Sequence, residues 1–268
     1  FYGVHELNDA VMAGMRQALF VAPVHNAAYI EAIGQFRSLL PDVPMIGVFE
    51  TAFHTTIPLP RRLYGVPYEW YEKYGLMRMG YHGASHSYIS RQAKSYGAAR
   101  RVISCHLGGS SSLCAVKNGR SVDTTMGLSL QCGLMHNNRC GDIDPYIIFY
   151  LAESCGMELS EIKTMLQSQS GFLGMSGGLS GDLRDLTLAA EEGNEDAANA
   201  IAAYCYSIKK YIGAYAAAMG GLDAIVFGGG IGRHSDVVRA LSLAGMEFLG
   251  IRLDGEKNRH AVGGTDIS

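Results

Sequence analysis

Apolar residues along the chain fall into alternating helical and strand-like spacings. Ile30, Ile33, Phe36, Leu39 and Leu40 recur at intervals of three and four, which predicts a helix over 27–40 that Pro41 and Pro44 stop. An earlier helix is expected to start at 7–12 and run towards 18–20. The run Met45-Ile46-Gly47-Val48-Phe49 predicts a short buried strand with Glu50 at its carboxyl end, where ligands collect in open α/β sheets. The aromatic- and proline-rich stretch 60–80 reads as a structured loop. Strands are predicted at 102–107, 113–117 and 120–124. The small residues Gly108-Gly109-Ser110-Ser111-Ser112 join the first two, and the tight Asn118-Gly119 turn joins the last two. Such a hairpin gathers backbone N–H groups into a concavity suited to an anion such as phosphate. A long helix is expected over 196–219, with Ile201, Cys205, Ile208, Ile212 and Tyr215 on one stripe and Gly220-Gly221 ending it. A strand over 224–227 follows, then a glycine loop, Gly228-Gly229-Gly230-Ile231-Gly232, and Ser235 as the N-cap of another helix. A strand, a glycine loop and a helix N-terminus together form a nucleotide-binding corner.

Composition narrows the class. The 268 residues suffice for one large domain or two smaller ones, and 48% hydrophobic with 18% charged residues suits a compact α/β protein. The 34 glycines cluster beside apolar runs, which points to tight loops approaching a ligand rather than to flexible linkers. A net charge of −3 gives no reason to expect a nucleic acid or an anionic membrane as partner. The longest apolar helical stretch is interrupted by Lys209 and Lys210, so it reads as a core helix and not a membrane span; no signal segment is expected. The six cysteines form no C-x-x-C pair, which fits a reduced, cytoplasmic setting.

Several motifs, taken in order, resemble the acetate kinase family. They are Ala22-Pro23-Val24-His25-Asn26, Val48-Phe49-Glu50-Thr51-Ala52-Phe53-His54, Pro67-Tyr68-Glu69-Trp70-Tyr71-Glu72-Lys73-Tyr74-Gly75 and Gly80-Tyr81-His82-Gly83-Ala84-Ser85-His86. Further along come Cys105-His106-Leu107-Gly108, Ser121-Val122-Asp123-Thr124, Arg139-Cys140-Gly141-Asp142-Ile143-Asp144-Pro145 and Phe227-Gly228-Gly229-Gly230-Ile231-Gly232. One glycine loop is a weak signal; the ordered set spans most of the chain. The resemblance implies an α/β, two-lobed, actin-like ATPase (ribonuclease H-like) fold. Residues 1–50 would be part of the first, substrate-side lobe, and 51–268 a complete or nearly complete nucleotide-binding second lobe. It also implies reversible, Mg²⁺-assisted in-line transfer of the γ-phosphate of ATP to acetate or another short carboxylate, giving an acyl phosphate and ADP, by a homodimer.

The same resemblance assigns roles. Arg139 matches the arginine that stabilises the transition state, where a planar guanidinium donates two bonds to adjacent oxygens; the alternative is a salt bridge to Asp142 or Asp144. His82 matches the histidine that contacts the transferring phosphoryl group, with an imidazole able to take on charge near neutral pH. His86 and His25 are weaker, supporting candidates. Glu50 stands where the family has aspartate, and a carboxylate there can organise Mg²⁺-bound water or the phosphate acceptor. Its extra methylene adds about 1–1.5 Å of reach, and misalignment on that scale costs on the order of 100-fold in rate. His106, Leu107, Gly108, Gly109 and Ser110 match the phosphate loop, Asp182, Leu183 and Arg184 the segment beside the adenosine, and Gly230, Ile231, Gly232, Arg233 and His234 the last nucleotide loop. Val24, Tyr81 and Leu130 match the pocket for the alkyl group. Tyr81 for phenylalanine, Leu130 for proline, and unusual Gln131, Cys132, His136, Asn137 and Asn138 predict a more polar or reshaped pocket. The family's first phosphate-contacting asparagine, its carboxylate-binding arginine and its Mg²⁺-associated glutamate have no match within residues 1–268, so the chain reads as truncated at both ends. The alternative function is a catalytically weakened paralogue that binds nucleotide as a sensor or partner.

Overall fold

The computed structural model describes residues 1–20, 23–97 and 99–268, the side chains of residues 20, 23, 24 and 96 excepted. Its frame is a four-stranded mixed sheet built from β3 (Arg101–His106), β4 (Ser112–Lys117), β5 (Arg120–Thr124) and β6 (Ala224–Gly228), in the order β5-β4-β3-β6. The first three run antiparallel, and β6 lies parallel to β3 from Val102↔Ala224 to His106↔Gly228. A smaller antiparallel pair, β1 (Gly3–Glu6) with β2 (Ile46–Phe49), precedes it.

Helices cover both faces of the large sheet. In chain order the helices are α1 (Asp9–Gln17), α2 (Pro23–Leu39), α3 (Leu59–Arg62), α4 (Tyr68–Tyr74), α5 (Gly83–Ala93), α6 (Tyr146–Glu153) and α7 (Leu159–Ser168). After these come α8 (Gly171–Met175), α9 (Leu183–Glu191), α10 (Glu195–Met219), α11 (Gly229–His234), α12 (Asp236–Leu243) and α13 (Gly255–Arg259). The two-residue period of a strand sends alternate side chains to opposite faces. Ile103, Cys105, Leu113 and Ala115 meet α10, whereas Val102, Cys114 and Val116 meet Ala93 of α5.

The longest helix, α10, starts where Asn194 accepts the Ala197 amide, carries Glu195 and Asp196 in its first turn, and ends at left-handed Gly220. Its expected stripe is buried as read, along with Ala197, Ala200, Tyr204 and Met219. Each large apolar side chain fully buried there is worth about 1.5–3 kcal/mol. Around β1 and β2, Leu7, Val11, Met12 and Met15 pack with Ile30, Ile33, Met45 and Phe49.

Five expectations are corrected. The strand expected to be buried, β2, leaves Ile46 and Val48 exposed. Two strands, not one, precede residue 50, because Gly3–Glu6 pairs along β2. The stretch 60–80 holds α4 and the end of α3. Phe36, Leu39 and Leu40 of the expected stripe are exposed. The glycine loop after β6 is itself helical: Gly228 is the N-cap, α11 starts at Gly229, and Ser235 caps α12 through the Val238 amide as expected. Among the described residues, no helix is long and apolar enough to cross a membrane.

Candidate active site

Glu50 follows β2 directly and opens the turn of 3₁₀ helix Glu50–Thr56. Its carboxylate reaches the start of α5, where Oε1 accepts the His82 amide at 3.1 Å and Oε2 the Ala84 amide at 3.4 Å. A carboxylate at a helix N-terminus satisfies orphan donors and meets the positive end of the helix dipole. The approach is tight: a Cβ at Gly83 would stand 1.9 Å from the Glu50 carbonyl oxygen. His82, the N-cap, adopts a left-handed backbone at φ 57°. That conformation is uncommon for residues other than glycine, although histidine, like asparagine and aspartate, adopts it more often than most.

The His82 ring lies against His106, centroids 4.2 Å apart, with Nδ1 2.8 Å from Ser112 Oγ. Burial, reinforced by His106 and Arg139, pulls its pKa down to about 3. The expected uptake of charge near neutral pH is therefore corrected: desolvation disfavours the cation and keeps His82 neutral. His106 hydrogen-bonds Ser85 Oγ through Nδ1, and burial lowers its pKa as well. Two further histidines complete the group. His86 is fully buried between Ser104 and Ser112, and His54 between Ser121 and the Tyr81 carbonyl.

Arg139 lies close enough to His82 to add to the depression of its pKa. Nη1 donates to the Leu130 carbonyl at 2.8 Å, and no carboxylate pairs with it among the described residues. The alternative salt bridge is absent because its candidates are engaged elsewhere. Asp142 accepts from the Gly133 amide and the Tyr211 hydroxyl, and Asp144 caps Tyr146. Burial lowers the pKa of Arg139, yet a guanidinium stays charged. Its segment grips the hairpin loop: the Asn137 amide donates to Gly109 O at 3.1 Å, and the Ser111 amide to His136 Nδ1 at 2.9 Å. Arg139 and His82 both lie near enough to help depress the His136 pKa, although burial is its main cause.

The two glycine turns interlock. The Leu107 carbonyl accepts the amides of Ile231 and Gly232, and the Leu107 amide donates to Gly228 O. Gly229 is held at φ 75°, and a Cβ there would come within 2.3 Å of the Leu107 carbonyl oxygen. Ser111 Oγ ties Gly108 to the buried Tyr204 hydroxyl, which fixes the loop to α10.

The remaining predicted residues divide. Asp182 N-caps α9 next to Gly181, where a Cβ would stand 3.0 Å from the Asn137 carbonyl, so this turn adjoins the same loop. Arg184 folds back onto Asp182 with its side chain 87% exposed, and Leu183 joins the core. Arg233 and His234 end α11 as exposed residues, Arg233 beside Gly263. Tyr81 and Leu130 both adjoin the 127–130 segment. The Tyr81 hydroxyl donates to Leu128 O at 2.7 Å, so its polarity is satisfied internally. The Val24 side chain lies outside the described residues. His25 is exposed and contributes to the His82 depression. Sequence reading missed His54 and Ser112, although His54 stands in a motif already marked.

No group of three or more His, Cys, Asp or Glu side chains that could hold a metal occurs among the described residues. Mg²⁺ keeps several waters and needs only one or two carboxylates when phosphates supply the rest. Glu50, whose carboxylate is engaged by only two amides, fits that sparse role.

The architecture defines a class. The chain superposes on the crystal structure of an acetate kinase from Porphyromonas gingivalis with a TM-score of 0.89 and 38% identity, covering 98% of this chain and 67% of the other. A propionate kinase from Francisella tularensis gives 0.91 and 35%, covering 97% and 68%. This is the two-lobed, actin-like ATPase fold. A model of the acetokinase family matches residues 3–268, and the chain belongs to that family. An acetate kinase from Lachnoclostridium phytofermentans is 46% identical over 256 residues, 94% of this chain and 65% of the relative. The chain thus spans about two thirds of the length of the curated relatives it matches.

Proposed function

We propose that this protein transfers the γ-phosphate of ATP reversibly to acetate or another short carboxylate, forming an acyl phosphate and ADP. One observation carries this reading. Arg139, His82 and Glu50, borne on three separate stretches, gather beside the interlocked turns 107–112 and 228–232. A carboxylate oxygen attacks the γ-phosphorus in line as the bond to the ADP oxygen breaks. Positioning and charge stabilisation supply most of the catalysis. Arg139 supplies the positive charge on the equatorial oxygens, and His82 a neutral imidazole. Glu50 accepts the amide that sets His82 in place and would be a carboxylate available to hydrated Mg²⁺, which would supply charge neutralisation when bound.

The proposed ATP site comprises His106–Ser110, Asp182–Arg184 and 230–234, and the alkyl pocket Val24, Tyr81 and Leu130. Residues 1–50 belong on this reading to the substrate-side lobe and 51–268 to the nucleotide lobe, in a cytoplasmic homodimer. The comparisons lend no support to the weakened-paralogue alternative. The test is an acyl-hydroxamate assay with ATP, Mg²⁺ and acetate, propionate or butyrate, on the protein with any natural flanking sequence. Hydroxamate from at least one acid supports the proposal; none from any, with ADP binding intact, refutes it.

A further inference from the structure

A neutral imidazole offers the cleft either a donor, with its proton on Nε2, or an acceptor, with its proton on Nδ1. For His82 a buried chain of hydrogen bonds decides between them. His82 Nδ1 lies 2.8 Å from Ser112 Oγ, the same oxygen lies 2.8 Å from His86 Nε2, and His86 Nδ1 lies 2.8 Å from Ser104 Oγ. Ser104, His86 and Ser112 are fully buried.

Ser112 has one hydroxyl proton and two imidazole partners. Were both imidazoles to donate to it, its own buried proton would have no acceptor among the described residues; it therefore donates to one and accepts from the other, and the chain runs in one direction or the reverse. In the first direction, His82 Nδ1–H donates to Ser112, Ser112 to His86 Nε2, and His86 Nδ1–H to Ser104. The Ser104 hydroxyl proton then has no acceptor among the described residues. In the reverse direction, Ser104 donates to His86 Nδ1, His86 Nε2–H to Ser112, and Ser112 to His82 Nδ1. Every buried proton now has an acceptor, and His82 carries its own on Nε2. A stranded buried hydroxyl costs enough to bias the choice by at least about fivefold.

We propose that Ser104, His86 and Ser112 form a tautomer lock that holds the His82 proton on Nε2, so that His82 meets the phosphoryl group as a hydrogen-bond donor. The purpose of the lock rests on the kinase reading; its existence rests on the hydrogen bonds alone. His86 is on this account a positioning residue that never touches substrate. Its neighbour His54 is set independently, because the Tyr81 carbonyl can only accept and so requires a proton on His54 Nε2. A neutral donor beside Arg139 adds a bond to the phosphoryl oxygens without placing a second cation next to the guanidinium.

The test is long-range ¹H–¹⁵N correlation on ¹⁵N-histidine-labelled protein at pH 7.5, with His82 assigned by its loss in His82→Gln. The expected result is a protonated Nε2 and an unprotonated Nδ1; a proton on Nδ1 overturns the lock. Ser104→Ala is expected to give mixed His82 tautomers and a kcat lowered about twofold, in step with the fraction of Nε2-protonated His82, at unchanged nucleotide KM, and Ser104→Thr to restore both. An unchanged His82 tautomer in folded Ser104→Ala also overturns it. The predicted tautomer in a protein that forms no acyl phosphate supports the lock and sinks the kinase reading, so the two fail separately.

Discussion

Acidification should destabilise this fold steeply, well above the pH at which carboxylates titrate. His54, His82 and His136 are held neutral by burial with pKa values near 4, 3 and 2, and His86 lies well below its ordinary value. On unfolding, each returns to about 6.5 and binds a proton. A depressed histidine therefore contributes stability that is present above pH 6.5 and lost as pH falls towards the folded value. Between pH 7.5 and 5.5 an unfolded histidine gains about 1.4 kcal/mol of proton binding that the folded one lacks. Four such groups give about 5 kcal/mol, comparable with the whole stability of a typical domain. Urea denaturation at pH 7.5, 6.5 and 5.5 measures this, with the m-value checked for constancy. His136→Met should remove about a quarter of the dependence. A free energy of unfolding that stays flat to pH 5.5 refutes the claim that these imidazoles are buried and neutral.

Three further outcomes follow from the site. Arg139→Ala should lower kcat by about 10³-fold with little change in ADP affinity by calorimetry, because the guanidinium acts on developing charge. Tyr204→Phe removes the buried hydroxyl bound to Ser111, and should cost about 1 kcal/mol in chemical denaturation and weaken ADP binding. Gly229→Ala forces a Cβ against the Leu107 carbonyl at a positive φ, and should cost at least about 2 kcal/mol and abolish ADP binding; wild-type affinity in that variant contradicts the interlocked turns.

Much of the four-stranded sheet and its helices is legible from local pattern. The α10 stripe, the β3–β4–β5 meander and the Ser235 cap each follow from periodicity or turn chemistry that neighbouring residues do not override. The failures share a cause in tertiary context. Gly229 opens a helix because the Leu107 carbonyl takes the Ile231 and Gly232 amides, a partner more than 100 residues away in sequence. Gly3–Glu6 is too short to signal a strand until β2 pairs with it. His82 reads as a titrating histidine in sequence, and only burial beside His106 and Arg139 makes it neutral. The absence of a salt bridge from Arg139 to Asp142 was not legible either, because it depends on Tyr211 and the Gly133 amide, which occupy Asp142.

The central claim is that Arg139 and His82 face one phosphoryl group across the glycine-lined cleft. Its most direct test is the rate of ATP formation from ADP and acetyl phosphate in the wild type and in the single variants Arg139→Ala and His82→Ala. Each variant should fall at least about 100-fold while still binding ADP. A wild-type rate in either one contradicts the account.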